Sequence, residues 1–235
     1  MNDILDLQIV MIARDRPRHT AQSLHSLVEQ EGQLRRAGLA VEIVLVDDAS
    51  QDETREIIEG SGFHYIRNEE PRGPGGARNC GVREADRKFG RSTAIYFSDN
   101  DVYFKPFAIE MILASLFRSL ELGFRVVSGY THPYSQTIRQ HHIGHGMFLH
   151  EKDSVGGLSR VLTRHTWEEI GPFLDDAKGV RQSEDWEWDQ RVKKAGFRVG
   201  TLHPAIVLDT GRTDTFGVEV PGAEHIPDVE GVMVK

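Results

Sequence analysis

The amino-acid sequence predicts an α/β fold in which a mostly parallel sheet is flanked by helices on both faces. Short, continuous apolar runs, which are typical of strands covered on both sides, recur along the first half of the chain. Segments with apolar residues at helical spacing alternate with these runs, and the connections are short. Such alternation is typical of parallel strands joined by right-handed crossovers.

The elements are expected in a regular order. The apolar runs predict strands at residues 8–13, 41–46, 63–68, 93–98 and 125–130. Helices are predicted at residues 18–37, shortly after residue 52, and at 77–89, 106–122 and 183–196. Gly38 is a suitable helix stop, and Pro106 suits a first turn. Suitable N-caps are Ser50 or Asp52 and, later, Ser183. A pair of strands is expected at 197–202 and 205–208.

The composition is that of a soluble globular protein. Of 235 residues, 39% are apolar and 27% are charged, and we expect one domain. The net charge of -8 argues against broad binding to nucleic acid, which needs a concentrated basic surface. The start of the chain lacks a signal-peptide pattern, and no apolar run approaches the ~20 residues that span a bilayer. A single cysteine, Cys80, fits a reducing compartment, so we expect a cytoplasmic protein without an integral membrane segment.

Two acidic residues stand where the strand predicted at 93–98 ends. Asp99 and Asp101 are separated by one residue, so on an extended backbone their side chains lie on one side. Carboxylates held this close repel each other, and proteins tolerate such pairs mostly where a cation or a shared proton neutralises them. The pair therefore indicates a divalent metal and a phosphorylated ligand. A polar loop is the alternative, because Asp and Asn are ordinary turn residues.

Acidic residues also follow the first two predicted strands. Asp15 comes after the first strand, and Asp47 and Asp48 come after the second. In open sheets with parallel strands, ligands bind beyond the carboxyl ends of the strands. We therefore expect all of these acids to converge on one edge of the sheet.

A glycine-rich loop at residues 71–76 leads into the predicted helix at 77–89. Gly73 and Gly75 have the spacing that begins a dinucleotide-binding fingerprint, but Arg78 stands where the third glycine is needed. A tight turn that presents Arg78 and Asn79 to an anionic ligand is the favoured interpretation. A simple junction between loop and helix is the alternative.

Acids and tryptophans share the start of the predicted helix at 183–196. Asp185 or Glu184 would act there as a general base on an acceptor hydroxyl, and Trp186 and Trp188 would offer flat apolar surface to a sugar ring. The alternatives are structural. Acids in a first turn are favoured by the helix dipole, and closely spaced tryptophans are often part of a core.

Histidines cluster at residues 141–145, where their spacing makes zinc conceivable. Gly144 disfavours a helix there and no cysteine lies nearby, so a loop that contacts substrate or solvent is favoured. His203 and Asp209 flank the last predicted strand. Either could return to the metal as a third protein ligand, or be an ordinary loop residue.

Taken in order, these motifs resemble those of the family 2 glycosyltransferases of the GT-A fold. The resemblance extends over roughly residues 7–212. The residues that carry it are Arg14 and the segments 46–50, 76–81, 98–101, 171–173, 184–185 and 195–197.

The resemblance implies an inverting transfer of one sugar from a nucleotide-diphosphate donor to an acceptor hydroxyl. It implies Mg²⁺ or Mn²⁺ on the diphosphate, held by Asp101, by Asp99 and, in place of a histidine common in the family, by Asp209. Asp48 would contact the nucleoside base, and Asp99 the ribose or the metal. The residues assigned to the nucleotide are Ala13, Arg14, Asp48, Arg78, Asp99 and Asn100.

The resemblance also assigns the catalytic and acceptor residues. Asp185 would be the catalytic base, with Glu184 beside it. Trp186, Trp188 and Gly157 would contact the acceptor or the sugar. The acceptor would be a saccharide, a lipid-linked compound or a small molecule. A further departure from the family is Val102, which stands where members commonly have another Asp.

These assignments divide the chain into functional parts. Residues 1–130 would bind the nucleotide sugar, residues 131–212 would bind the acceptor and carry the base, and residues 213–235 would form a C-terminal tail. The membrane helices of polymer-forming members are missing, so we expect single-sugar addition rather than processive synthesis. A homo-oligomer is left open.

Two other functions are left open by the sequence. A sugar nucleotidyltransferase usually has a glycine-rich, basic loop after the first strand, whereas Arg14-Asp15-Arg16-Pro17 contains no glycine. A non-catalytic nucleotide-sugar-binding protein would bind the ligand without turnover.

Overall fold

A computed structural model describes residues 6–132, 135–175 and 184–211. The strands are β1 (Asp6–Ala13), β2 (Ala40–Asp47), β3 (His64–Arg67), β4 (Ala94–Ser98), β5 (Val102–Phe104), β6 (Phe124–Ser128), β7 (Thr137–Gly144), β8 (Met147–Lys152), β9 (Ser159–Thr163), β10 (Arg198–His203) and β11 (Val207–Asp209). The helices are α1 (Pro17–Arg36), α2 (Thr54–Glu59), α3 (Gly73–Phe89), α4 (Ala108–Ser119), α5 (Arg164–Ile170) and α6 (Glu184–Lys194). The predicted cap Ser183 and the predicted tail lie outside the described residues.

Nine strands form one mixed sheet in the order β3-β2-β1-β4-β9-β6-β10-β8-β7. Strands β1 to β4 run parallel to one another, and β6 runs parallel to β10. Strand β9 lies between β4 and β6 and is antiparallel to both. The β7–β8 hairpin completes the far edge, antiparallel to β10. The α/β class predicted from the sequence is confirmed.

The second half of the chain differs from the prediction. Strands β7, β8 and β9 and helix α5 were not predicted, and β7 is mostly exposed, so it lacks the apolar run of a covered strand. Both strands predicted at 197–202 and 205–208 are present, as β10 and β11, but they do not pair with each other. Strand β10 is buried and takes β6 and β8 as partners, whereas β11 pairs with β5 in a separate two-stranded sheet.

Side chains of the sheet pack against helices on both faces. Along β1, Ile9 and Met11 face a core cluster that includes α1 and α4, whereas Val10 and Ile12 face a cluster that includes α3 and α6. This alternation follows from the two-residue period of a strand, and it explains why a covered strand reads as an unbroken apolar run. No helix in the described part of the chain is long and apolar enough to cross a membrane.

Helix α3 packs closely on β1 and β2 through Gly81. A Cβ atom at this position would lie 2.3 Å from Cγ1 of Val10 and 3.0 Å from Cγ2 of Val46. The missing side chain therefore sets how near α3 can lie to the strands.

We expect Gly81→Ala to destabilise the protein, although alanine is the better helix former. The new methyl group would overlap Val10, and overpacking of this kind typically costs about 1–3 kcal/mol. Gly32→Ala in α1 is the matched control. Its Cβ would have Nη1 of the Arg36 side chain as its nearest neighbour, at 3.2 Å, so we expect the helix propensity gain of about 0.5–1 kcal/mol there. Urea unfolding of both variants measures the difference, and equal stability of the Gly81 variant and the wild type would contradict the packing argument.

Candidate active site

The polar residues that follow β1, β2 and β4 meet at one edge of the sheet. Strand β1 pairs in parallel with both β2 and β4, so the three carboxyl ends lie side by side. The amide of Asp48 donates to the carbonyl of Ala13 at 2.8 Å, and the side chain of Asn100 donates to the carbonyl of Asp15 at 3.0 Å. The structure thus brings together the strand ends that the sequence predicted to converge.

The carboxylate of Asp48 organises the loop that leads into α3. It accepts hydrogen bonds from the side-chain amide of Asn68 at 2.8 Å and from the backbone amides of Arg72 and Gly73, each at 2.9 Å. The residue is 4% exposed. Asp48 therefore stabilises the loop before α3. Its contact with a nucleoside base stays a prediction.

Arg78 is a buried cation that joins two parts of the site. Its Nη2 donates to Asp99 Oδ1 and its Nη1 donates to Glu184 Oε1, both at 2.6 Å. Burial alone would lower the pKa of Arg78, but the carboxylates of Asp99, Glu184 and Asp185 outweigh burial and raise the pKa above its ordinary value. One guanidinium therefore ties the end of β4 to the first turn of α6, and we call this contact the Arg78 bridge.

Space for the guanidinium comes from Gly157. A Cβ at Gly157 would lie 2.4 Å from Nη2 of Arg78. The guanidinium also lies over the ring of Phe173, with its central carbon 5.5 Å from the ring centroid. The side chain of Asn79 holds the Phe173 backbone, donating to its carbonyl at 2.9 Å and accepting from its amide at 3.0 Å. The predicted contact between Gly157 and a sugar stays a prediction.

Asp101 carries a carboxylate with one open oxygen. Its Oδ2 accepts a hydrogen bond from Nη1 of Arg16, whereas its buried Oδ1 has no hydrogen-bond partner among the described residues. Burial, together with the carboxylates of Asp99 and Asp209, raises the pKa of Asp101 to about 7, and Arg16 opposes this shift. Such a carboxylate is a suitable ligand for a hard cation.

Asp209 is held close to Asp101 by the small sheet. Strand β11 pairs with β5 so that Asp209 stands opposite Val102, and the amide of Thr210 donates to the carbonyl of Asp101 at 2.8 Å. Across the described ranges, no group of three or more His, Cys, Asp or Glu side chains is already arranged to hold a metal ion. The oxygen ligands and the open Oδ1 of Asp101 nevertheless fit Mg²⁺ or Mn²⁺ in their chemistry.

The first turn of α6 contains two carboxylates in different surroundings. The side chain of Glu184 is 13% exposed and pairs with Arg78. Asp185 accepts a hydrogen bond from the amide of Trp186 at 2.7 Å, and its Oδ2 would lie 3.7 Å from a Cβ at Gly156. Glu184 thus forms the direct ion pair with Arg78. Asp185 is the better candidate for a base, because its carboxylate is not used in that pair.

The two tryptophans of α6 have different environments. Trp186 is 52% exposed. Trp188 is completely buried, its indole N–H donates to the carbonyl of Gly171 at 2.8 Å, and its ring lies 5.3 Å from that of Phe173. The prediction that Trp188 contacts a sugar is therefore wrong, because a core residue has no surface to offer. The same prediction for Trp186 remains.

A buried ion pair holds the loop before β9 against α6. Arg160 and Asp189 are both fully buried, and Nη1 of Arg160 donates to Oδ1 of Asp189 at 3.0 Å. Oδ2 of Asp189 accepts from the hydroxyl of Ser154 at 2.7 Å and from the amide of Val155 at 2.9 Å. Burial raises the pKa of Asp189, and Arg160 opposes the shift. The pair fixes α6 relative to the loop that contains Gly157.

The remaining nucleotide residues predicted from the sequence lie at the same edge. The side chain of Arg14 is 51% exposed, with its Nε 3.8 Å from Asp15. Asn100 is buried, and its side chain also donates to the hydroxyl of Thr20 at 2.8 Å. The carbonyl of Ala13 is used by the amide of Asp48. Contact of these residues with a nucleotide stays a prediction.

The histidine cluster belongs to the β7–β8 hairpin rather than to a helix. Nε2 of His141 lies 2.9 Å from a carboxylate oxygen of Glu151. The rings of His150 and His203 stack at 4.6 Å on neighbouring strands. The zinc interpretation gains no support, since the described residues contain no group of three metal-ligating side chains.

Arg16 is a residue of the site that the sequence pattern did not single out. In the sequence, the segment after β1 indicates only that the strand ends there. The available signal was position, because an arginine beside Asp15 at the carboxyl end of a strand lies at the same edge as the acids. The contact between Arg16 and Asp101 joins residues that are 85 positions apart in the sequence. Only the parallel pairing of β1 with β4 makes them neighbours.

Comparison with solved structures shows similarity to glycosyltransferases. The mannosyltransferase PcManGT from Pyrobaculum calidifontis, in complex with GDP-Man and Mn²⁺, has a TM-score of 0.60 at 16% identity, over 83% of this chain and 56% of that one. TarS 1-349 from S. aureus, in complex with UDP-GlcNAc, has a TM-score of 0.59 at 16% identity, over 84% and 56%. This chain spans little more than half the length of these structures. The likeness confirms the predicted GT-A fold.

Comparison of sequences gives the family. Among curated proteins, no sequence matches this chain. The family model described as "Glycosyl transferase family 2" matches residues 8–171, which is more than half of the chain. The chain therefore belongs to glycosyl transferase family 2.

Proposed function

We propose that this glycosyltransferase moves one sugar from a nucleotide-diphosphate donor to an acceptor hydroxyl with inversion, and that it depends on Mg²⁺ or Mn²⁺. The Arg78 bridge carries the proposal. It links Asp99, which neighbours the open carboxylate of Asp101, to Glu184, which neighbours Asp185. This link supports a single site in which some carboxylates would bind the cation and another would act as the base.

The donor would lie at the edge formed by β1, β2 and β4. The oxygen ligands there would be Asp99, Asp101 and Asp209. Burial, and after it the charges of Asp99 and Asp209, raise the pKa of Asp101. A cation bound by them would neutralise the charge that develops on the leaving diphosphate. The ligands named for the similar structures, GDP-Man with Mn²⁺ and UDP-GlcNAc, support a nucleotide sugar as donor.

Asp185 would act as the general base on the acceptor side. It would take the proton of the acceptor hydroxyl while that oxygen attacks the anomeric carbon from the face opposite the diphosphate. The bond between the anomeric carbon and the diphosphate oxygen would break in the same displacement, which inverts the configuration. The exposed ring of Trp186 would support the sugar or the acceptor, and Glu184 would hold α6 in place through Arg78.

This assignment divides the work between the two halves of the chain. Residues 1–130 would hold the donor, and residues 131–212 would hold the acceptor and the base. The acceptor would be a saccharide, a lipid-linked compound or a small molecule that presents a hydroxyl to Asp185. A non-catalytic binding protein is distinguished by the absence of turnover.

We expect a nucleoside diphosphate to stabilise the protein when Mn²⁺ is present. A ligand at about 100 times its dissociation constant adds about 2.7 kcal/mol to the free energy of unfolding. Thermal unfolding with UDP, GDP and dTDP, each with and without Mn²⁺, measures the effect. Asp101→Asn should remove the metal-dependent part, because a neutral amide is a poorer cation ligand. Failure of all three nucleotides in the presence of metal would refute the donor site.

We expect Asp185→Asn to retain donor affinity and to lose transfer activity. Removal of a general base typically costs about 10²–10⁴-fold in rate. Glu187→Gln is the matched control, because Glu187 lies in the same turn of α6 but pairs with Arg191 at 3.0 Å. Steady-state transfer rates and nucleotide titrations of both variants give the comparison. Normal turnover in Asp185→Asn would exclude Asp185 as the base.

A further inference from the structure

Arg16 contacts the carboxylate that the proposed metal would need. Its Nη1 donates to Oδ2 of Asp101, and the Asp101 side chain is only 14% exposed. The other carboxylate oxygen, Oδ1, is buried and has no hydrogen-bond partner in the described part of the chain. Because Oδ1 is buried, a cation arriving from solvent would meet the oxygen that Arg16 already holds.

The backbone that carries Arg16 is fixed in an unusual conformation. Asp15 and Arg16 have φ angles of 55° and 63°, in the left-handed region that is unfavourable for residues other than glycine. Contacts with the scaffold hold this conformation. The amide of Asp15 donates to the Ser50 hydroxyl at 3.0 Å, its carboxylate accepts from the amide of Gln51 at 2.9 Å, and the carbonyl of Arg16 accepts from Thr20 at 3.0 Å.

The side chain of Arg16 has more freedom than its backbone. It is 48% exposed, so rotation about its own bonds can carry the guanidinium away from Asp101 while the loop stays in place. This differs from Arg78, whose side chain is 1% exposed and held between two carboxylates. Of these two arginines, Arg16 is the one whose guanidinium can move away from its carboxylate partner.

We propose that Arg16 and the divalent cation compete for Asp101, and that the displaced guanidinium then binds the donor diphosphate. The inference rests on the proposed function, since it assumes a cation at Asp101. A cation and a guanidinium cannot both sit close to one carboxylate oxygen, because two positive charges in contact repel each other. Once displaced, Arg16 remains tethered at the edge of the site, where a diphosphate bound to the cation would provide its new partner.

Arg16 would then have two opposite effects on binding. Without nucleotide, Arg16 weakens cation binding by occupying Asp101. With nucleotide, it strengthens binding by adding a positive charge beside the diphosphate. Metal and donor would therefore bind together more readily than either would alone. A residue that only supported the loop would not produce opposite changes in these two affinities.

The test compares Arg16→Gln with Arg18→Gln, which removes the same charge from an exposed position on the first turn of α1. Mn²⁺ binding without nucleotide is measured by the electron paramagnetic resonance signal of free Mn²⁺. We expect Arg16→Gln to bind Mn²⁺ about tenfold more tightly than the wild type, and Arg18→Gln to bind it about equally. In saturating Mn²⁺, we expect Arg16→Gln to bind UDP or GDP about tenfold more weakly.

Two further variants test whether Arg16 acts through its charge and through Asp101. Arg16→Lys keeps a positive charge and should remain closer to the wild type in both affinities. Asp101→Asn combined with Arg16→Gln should lose the gain in Mn²⁺ affinity, since the competition acts through Asp101. Circular dichroism spectra of all variants check that they fold.

Three results would overturn the inference. These are an unchanged Mn²⁺ affinity in Arg16→Gln, a gain that survives Asp101→Asn, or no Mn²⁺ binding by Arg16→Gln at all. The proposed function is tested separately, by nucleotide-dependent stabilisation of the wild type in Mn²⁺. That stabilisation can succeed while Arg16→Gln leaves Mn²⁺ affinity unchanged, so the two failures are distinguishable.

Discussion

Repulsion between carboxylates at one edge of the sheet is the constraint on which the rest of the site depends. Parallel pairing of β1 with β2 and β4 brings acidic loops to the same place, where burial and then the charges of Asp99 and Asp209 raise the pKa of Asp101. Two arginines neutralise these carboxylates in different ways. Arg78 is buried and held between Asp99 and Glu184, whereas Arg16 is half exposed and pairs with Asp101. A buried cation of the first kind can be structural, because its desolvation is offset by two close partners.

The second half of the chain holds in place the helix that carries Asp185, the proposed base. Strand β9 inserts antiparallel between β4 and β6, and the loop that precedes it contains Gly157, which leaves room for the Arg78 guanidinium. The ion pair between Arg160 and Asp189 anchors the same loop to α6. The helix that carries Asp185 is therefore positioned from two sides, by the Arg78 bridge and by this buried pair. Such support matters because a base must stay within hydrogen-bonding distance of the proton that it removes.

The sequence predicts the first half of the fold well, because its strands are covered on both faces and their apolar runs are unbroken. It predicts β7 poorly, because that exposed edge strand has no such run. The gathering of Asp15, Asp48 and Asp99 follows from parallel pairing alone. The pairing of Arg16 with Asp101 and the burial of Trp188 depend on side-chain packing across distant segments, which local pattern does not contain.

The pair formed by Arg160 and Asp189 has a consequence for the history of this chain. Both side chains are fully buried, so replacing one of them alone leaves an isolated charge in the interior, typically at a cost of about 3–5 kcal/mol. Replacing both by apolar residues of similar volume is often neutral. Selection therefore acts on the two positions jointly, and homologous chains are expected to carry both charges or neither. A mutational path between these two conditions would pass through a variant that is less stable by this amount.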